Sequence, residues 1–284
     1  MLASHARRAL LVAFAFVAVC TGAPAAALAR TETARAGSVT ATFTFAATAQ
    51  NTYPTKTLTI TRSGKVAYDQ AVTSSYCGEL SNPTQQQYCV PGFAAGRSSV
   101  HAVDLEPRSE PSVVLDLYTG GAHCCSVEQV FSFDAAEGTY VMSQRNFGDP
   151  GERLVDLGHD GRFEFLTADD SFAYAFTDFA HSGLPLQILS FAGGHFRDVT
   201  RHYPKLVARD AAKYLKAFEH DLGNGEGLIA AWAADEDNLG QGKLVASTLA
   251  RDLKAGELRG GTYATGQRFI TALNRLLKRD GYVH

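Results

Sequence analysis

Residues 115–133, LDLYTGGAHCCSVEQVFSF, contain two apolar runs separated by a glycine pair, a histidine and two adjacent cysteines. We interpret the runs as strands, because short runs rich in β-branched and aromatic residues between turn signals are typical of sheets. Gly120 and Gly121 lack the Gly-Lys-Ser/Thr continuation of a phosphate-binding loop, so they indicate a tight turn. The histidine and cysteines could serve a metal site, a thiol nucleophile or a disulfide, depending on the compartment.

The amino terminus has the pattern of a secretory signal peptide. Arg7 and Arg8 precede an uncharged apolar run, Ala9–Cys20, and the small-x-small sequence ending at Ala29 is typical of a cleavage site. The run is shorter than the ~20 residues that a membrane span needs. We therefore expect residues 1–29 to be removed and the mature chain to be secreted or periplasmic, with no later membrane span.

A lipoprotein modified at Cys20 is the alternative, although Val19 stands where a small residue is expected.

Removal of the signal peptide takes two of the 26 basic and none of the 29 acidic residues, which leaves a net charge of −5. This charge argues against a nucleic-acid binder and against a membrane-surface module. With 45% hydrophobic and 19% charged residues, the chain has a globular composition.

Four cysteines remain after export: Cys77, Cys89, Cys124 and Cys125. An even number in an exported chain favours disulfides over free thiols. We expect one of the two pairings that tie Cys77 and Cys89 to the adjacent pair, because a bridge between neighbours closes a difficult eight-membered ring. The alternative is a local Cys77–Cys89 bridge with Cys124 joined to Cys125, since neighbours on a strand face opposite sides.

The segment 38–200 is predicted to be an antiparallel β region with sandwich-like or partial propeller-blade-like sheets. SVTATFTF alternates apolar and threonine residues from Ser38 to Phe45. Three hairpins are predicted, with turns at Ser63-Gly64, Asp134–Gly138 and Gly193-Gly194. The polar segment 30–37 is interpreted as a flexible leader.

After Thr200 the apolar period changes to three and four residues, which predicts a bundle of about four helices over 201–284. The first would begin at Pro204 and end at Gly223, and the last would have Thr265 as its N-cap and Gly281 beyond its end. Near the end of the second helix, Asp235–Asp237 is predicted to be an exposed acidic cluster, or else a functional surface. The fold class is therefore α+β, with a β domain over 38–200 and a helical domain over 201–284.

One internal repeat relates DLEPRSEPSVVL, from Asp104, to DLGHDGRFEFLT, from Asp156. Both resemble the D-x-D-x-D-G-x-x-[DE] loop of FG-GAP or VCBS-type repeats in exported bacterial proteins. That resemblance implies propeller blades and calcium held by Asp156, Asp160 and Glu164. In the first loop, Arg108 stands where an acid is expected and Ser109 replaces the glycine, so calcium is not expected there.

The opening stretch, with His123, and a second stretch that begins at Asp169 suggest catalysis as an alternative. Asp169 and Asp170 precede an aromatic run, and a hydrolase of extracellular polymers would use them, or Asp156, with His123 as acids and bases. The first interpretation remains a non-catalytic exported module that binds a protein, a glycan or another envelope component. A calcium-stabilised FG-GAP-like domain is the third hypothesis, and no other cofactor is expected.

Overall fold

The computed structural model describes residues 29–92, 97–107, 110–220, 225–259 and 264–283. The predicted α+β class is confirmed: antiparallel strands occupy the first two thirds, and most helices follow them. The strands are β1 (Ala29–Ala36), β2 (Val39–Ala46), β3 (Thr55–Arg62), β4 (Lys65–Ala71), β5 (Val90–Pro91), β6 (Val100–Val103), β7 (Ser112–Gly121), β8 (Cys124–Asp134), β9 (Thr139–Gly148), β10 (Arg153–Val155), β11 (Glu164–Ala168), β12 (Leu186–Ala192) and β13 (His195–Asp198). The α-helices are α1 (Pro83–Gln86), α2 (Pro204–His220), α3 (Glu226–Asn238), α4 (Gly242–Ala255) and α5 (Gln267–Arg279). No helix in these ranges has the length and apolar character to cross a membrane.

The strands form three antiparallel sheets. The first has the order β1-β2-β3-β4, and the third has the order β10-β11-β12-β13. The central sheet has the order β5-β7-β8-β9, with β6 also paired to β7. The three predicted hairpin turns are confirmed, and Ser63, Gly64, Gly193 and Gly194 all have the positive φ that two-residue hairpin turns require.

The central sheet is buried on both faces. Val113 and Leu115 pack into a core shared with the first sheet, whereas Val114 and Val130 pack into a second core shared with the third sheet. Successive side chains of a strand point to opposite faces. Burial on both faces therefore explains why this part of the chain is a continuous apolar run rather than an alternating one.

The interpretation of residues 30–37 as a flexible leader is wrong, because β1 covers most of them. All eight residues of β1 pair with β2, from Ala29 opposite Ala46 to Ala36 opposite Val39. The segment can be polar because β1 is an edge strand of the first sheet. Its hydrogen bonds to β2 hold it in place, and its composition alone does not predict that pairing. The residues of the predicted signal peptide before Ala29, including Cys20, lie outside the described residues.

The four predicted C-terminal helices are confirmed as α2–α5. Their core includes Trp232 and Phe269, and it also takes in Phe172 and Phe176 from the segment between β11 and β12. Thr265 is not the N-cap of α5: Gly266 occupies that position, and the Thr265 carbonyl accepts bonds from the first helical turn. Gly223, predicted to end the first helix, lies outside the described residues.

Candidate functional site

The cysteines pair locally. Cys77 is bonded to Cys89, and Cys124 is bonded to Cys125. The expected cross-linked pairings are therefore wrong, and the alternative is the observed one. The physical reason lies in the 74–89 segment, where the buried Gln86 amide donates to the carbonyls of Ser74, Gly78 and Glu79 and so folds this loop upon itself.

The residues of the hydrolase hypothesis are brought only partly together. His123 Nδ1 lies 3.4 Å from Asp149 Oδ2, and Asp170 accepts a bond from the Asp149 backbone amide. Asp169 instead accepts hydrogen bonds from Ser171 and from the Tyr282 hydroxyl, 2.9 Å away. Asp169 and Asp170 thus serve different contacts, and the pair of neighbouring acids does not form one acid–base couple with His123.

The loop at Asp156 makes the contacts of a turn. Asp156 accepts hydrogen bonds from the backbone amides of Asp160 and Gly161, while the Asp160 carboxylate pairs with Arg162. That guanidinium holds the pKa of Asp160 below its usual range. Glu164 accepts from the backbone amide of Leu157. Each proposed calcium ligand therefore has a partner in the protein, and calcium binding by this loop remains a prediction.

A different group of acids converges between the central and third sheets. Within the described part of the chain, Asp116, Glu128 and Glu152 are the one group of metal-ligating side chains whose ligand atoms all lie within 4.8 Å of one another. Asp116 on β7 is directly opposite Glu128 on β8 in the strand register. Glu152 immediately precedes β10 and reaches the same point from the third sheet.

The two glutamates of this trio have strongly shifted pKa values. Glu128 is fully buried, and burial together with Asp116 and Glu152 raises its pKa well above the usual range. Burial and Asp116 raise the pKa of Glu152 to about 7. His101 contacts Asp116 at 3.3 Å, and this contact raises the pKa of the imidazole. Clusters of perturbed groups of this kind are typical of functional sites.

Sequence reasoning missed this trio, although it carries a signal. Asp116 interrupts the apolar run SVVLDLY and Glu128 interrupts SVEQVF, so each is a charged residue inside a strand predicted to be buried. The register that places them opposite each other, and the loop that brings Glu152 to them, depend on pairing between distant parts of the chain.

A cleft lies beside the trio, and Glu152 belongs to both. It has a volume of about 690 Å³ and runs between β10–β11, the short 3₁₀ helix Phe179–His181 and the middle of α2. Three basic side chains line it: Arg97, Arg153 and Lys213. Its acids are Glu152 and Asp210, and Asp210 accepts a 2.6 Å hydrogen bond from Lys213.

Two aromatic rings complete the walls of this cleft, and a buried acid lies behind one wall. Phe179 and Tyr214 contribute rings, and the Tyr214 hydroxyl is fixed by bonds to the backbone of Leu184. Behind Asp210 lies Asp235, whose side chain is fully buried. Burial and the neighbouring Asp210 raise the pKa of Asp235 to about 9.

Comparisons with known proteins give distant relatives. No protein-family model matches the chain. The chain is 29% identical over 149 residues to a probable thylakoid lumen protein of Synechocystis, in a match covering 46% of this chain and 40% of that protein. It is 27% identical over 139 residues to an uncharacterized protein of Sinorhizobium fredii, in a match covering 47% of this chain and 22% of that protein. The chain thus matches less than half the length of each of these two relatives.

Among solved structures, the chain is similar to a Xanthomonas type IV secretion system related protein at 14% identity. That match covers 63% of this chain and 96% of the other, with a TM-score of 0.24. A similarity at this level carries no argument about fold or function.

Proposed function

We propose that the chain is an exported, non-catalytic binding module of the cell envelope, and that its ligand is an acidic glycan held in the 690 Å³ cleft. The cleft is the observation that carries this proposal. It has the volume of a small-molecule or oligosaccharide site and combines apolar rings with a few polar groups. The signal-peptide pattern and the relative described as a thylakoid lumen protein support an extracytoplasmic location.

The charges of the cleft favour a negatively charged ligand. Lys213 is paired with Asp210, whereas the exposed Arg97 and Arg153 stand at the edge near Glu152. Guanidinium groups bind carboxylates with two parallel hydrogen bonds, and the ring of Phe179 offers an apolar surface to a sugar face.

The test compares acidic and neutral oligosaccharides of equal length by calorimetric titration of the mature protein. We expect oligogalacturonate to bind and chitin oligosaccharide to bind at least tenfold more weakly. Arg153→Gln and Arg97→Gln should each weaken binding about tenfold, because a charge-assisted hydrogen bond contributes about 1.5–3 kcal/mol. Arg268→Gln, an exposed arginine on α5, is the matched control and should bind normally.

Equal affinity for both oligosaccharides, or an unchanged affinity in both cleft variants, would contradict the proposal.

A hydrolase is the second candidate, favoured by one observation: the interacting acids Asp210 and Asp235 lie at and behind the wall of the cleft. Release of shorter products during the titration, abolished by Asp210→Asn, would support this candidate instead.

A further inference from the structure

We propose that Asp116, Glu128 and Glu152 bind one divalent cation of the oxygen-ligand class, with Ca²⁺ as the ion that fits best. This inference does not rest on the proposed glycan site. It places the cation between the central and third sheets, away from the FG-GAP-like loop that the sequence favoured.

The all-carboxylate ligand set suits a hard cation. The three ligand atoms lie within 4.8 Å of one another. Ca²⁺ binds oxygen at about 2.3–2.6 Å, so two ligands of one ion lie up to about 5 Å apart. Mg²⁺ binds at about 2.0–2.1 Å and tolerates at most about 4.2 Å. Separations within 4.8 Å are compatible with Ca²⁺, and we name Ca²⁺ because it accepts six to eight oxygen ligands in flexible geometry, whereas Mg²⁺ demands a near-ideal octahedron.

The buried carboxylate oxygens point independently to a ligand. The side chain of Glu128 is 0% exposed. Its Oε1 accepts a bond from the Ser126 hydroxyl, but its Oε2 receives none from any backbone, amide, hydroxyl or basic group. Asp116 is in the same position, with Oδ2 facing His101 and Oδ1 buried without a donor. Glu128 and Asp116 thus each keep one buried oxygen that only a cation or a shared proton can satisfy.

The strand register makes this arrangement costly without a cation. Like charges directly opposite each other on neighbouring strands destabilise a sheet, and Asp116 and Glu128 are such a pair. Two basic groups face the three carboxyl groups: His101 contacts Asp116, and Arg97 acts on Glu152. A cavity of about 290 Å³, lined by Arg97, His101, Asp116 and Glu152, adjoins the trio and leaves room for entry and for water ligands.

The experiment uses the mature protein, stripped with a chelator and dialysed against CaCl₂, MgCl₂ or MnCl₂. We expect one Ca²⁺ per chain by elemental analysis. Saturating Ca²⁺ should raise the melting temperature by roughly 5–10 °C, because a ligand that binds only the folded state stabilises it. Absence of a bound ion and of a melting shift with all three salts would overturn the proposal.

Glu128→Gln should abolish the bound Ca²⁺ and the melting shift. It should also melt no lower than the unmodified protein in chelator, because it leaves a neutral amide in place of a second carboxyl group opposite Asp116. If Glu128→Gln does not fold, the half-buried Glu152→Gln at the edge of the cavity replaces it. Glu137→Gln, which removes an exposed carboxylate on the β8–β9 loop, is the control and should keep the full shift.

Asp156→Asn separates this site from the FG-GAP-like loop. We expect this variant to keep one Ca²⁺ and the melting shift. Loss of the ion in Asp156→Asn, with retention in Glu128→Gln, would place calcium in the loop and contradict the inference.

Discussion

At the residue scale, Asp235 shows how burial changes the meaning of a charge. The stretch Asp235–Asp237 near the end of α3 was predicted to be an exposed acidic cluster, but Asp235 and Asp237 are both buried. Burial raises the pKa of Asp237 to about 6 and, with Asp210 nearby, that of Asp235 to about 9. The prediction was wrong because α3 is buried on nearly all sides, with every residue from Ile229 to Asp235 buried, and the local sequence pattern does not reveal this.

Asp235→Asn should stabilise the protein at neutral pH by about 1–3 kcal/mol. The folded state keeps a proton on Asp235 that the unfolded chain releases above pH ~4, so the unfolding free energy falls as the pH rises from about 4 towards 9. The asparagine is neutral throughout and removes this slope. Urea unfolding from pH 5 to 9 measures the effect, with the exposed Glu219→Gln as control.

That prediction has a clear contrary result. If Asp235→Asn and the unmodified protein show the same pH slope, or if the variant is less stable at pH 8, the carboxyl is ionised in the folded state. The raised pKa would then not describe Asp235, and the hydrolase hypothesis would lose its protonated acid.

At the element scale, α3 packs closely against the loop between β11 and β12 because each side of the contact has a glycine, which has no side chain. A Cβ at Gly227 would lie 2.6 Å from the His181 carbonyl, and one at Gly183 would lie 2.7 Å from the Ala231 side chain. These contacts place the first turn of α3 directly on the backbone of the loop that forms one wall of the cleft. Neither glycine has a positive φ, so close approach alone requires them.

Gly227→Ala should therefore destabilise the protein by about 1–3 kcal/mol, although alanine favours helices by about 1 kcal/mol over glycine. Gly242→Ala at the start of α4 is the matched control, because its Cβ would approach only the carboxylate end of Asp237, at 3.2 Å. We expect the control to be neutral or slightly stabilising. Thermal melts of both variants measure the difference, and equal stability would contradict the close contact.

Elements with strong local signals could be predicted from the sequence. The Gly-containing turns fix the hairpins, and the apolar stripes fix the C-terminal helices, because both are set by neighbouring residues. The edge strand β1 could not be predicted, since its hydrogen bonds come from β2 and not from its own apolar content. The meeting of Asp116, Glu128 and Glu152 likewise depends on register between strands and sheets.

At the scale of the whole molecule, three cores link the layers in series. One core lies between the first and central sheets, and a second lies between the central and third sheets. The remaining core lies among the C-terminal helices. The predicted boundary between residues 200 and 201 runs through shared packing. Phe176 packs edge-to-face on Phe269 of α5, and the Tyr282 hydroxyl donates a hydrogen bond to the Asp169 carboxylate. This continuity predicts that the β and helical parts unfold together.

Trp232, the single tryptophan of the chain, lies in the helical core and gives a direct test. Leu58→Ala, in the core between the first and central sheets, should cost about 2–5 kcal/mol. We expect it to lower the melting midpoint equally by tryptophan fluorescence and by circular dichroism of the sheets, since cooperative unfolding moves all probes together. Leu249→Ala, in the helical core itself, is the matched variant and should shift both probes in the same way. A fluorescence midpoint that stays in place in Leu58→Ala, while the sheet signal moves, would show instead that the helical layer is an independent domain.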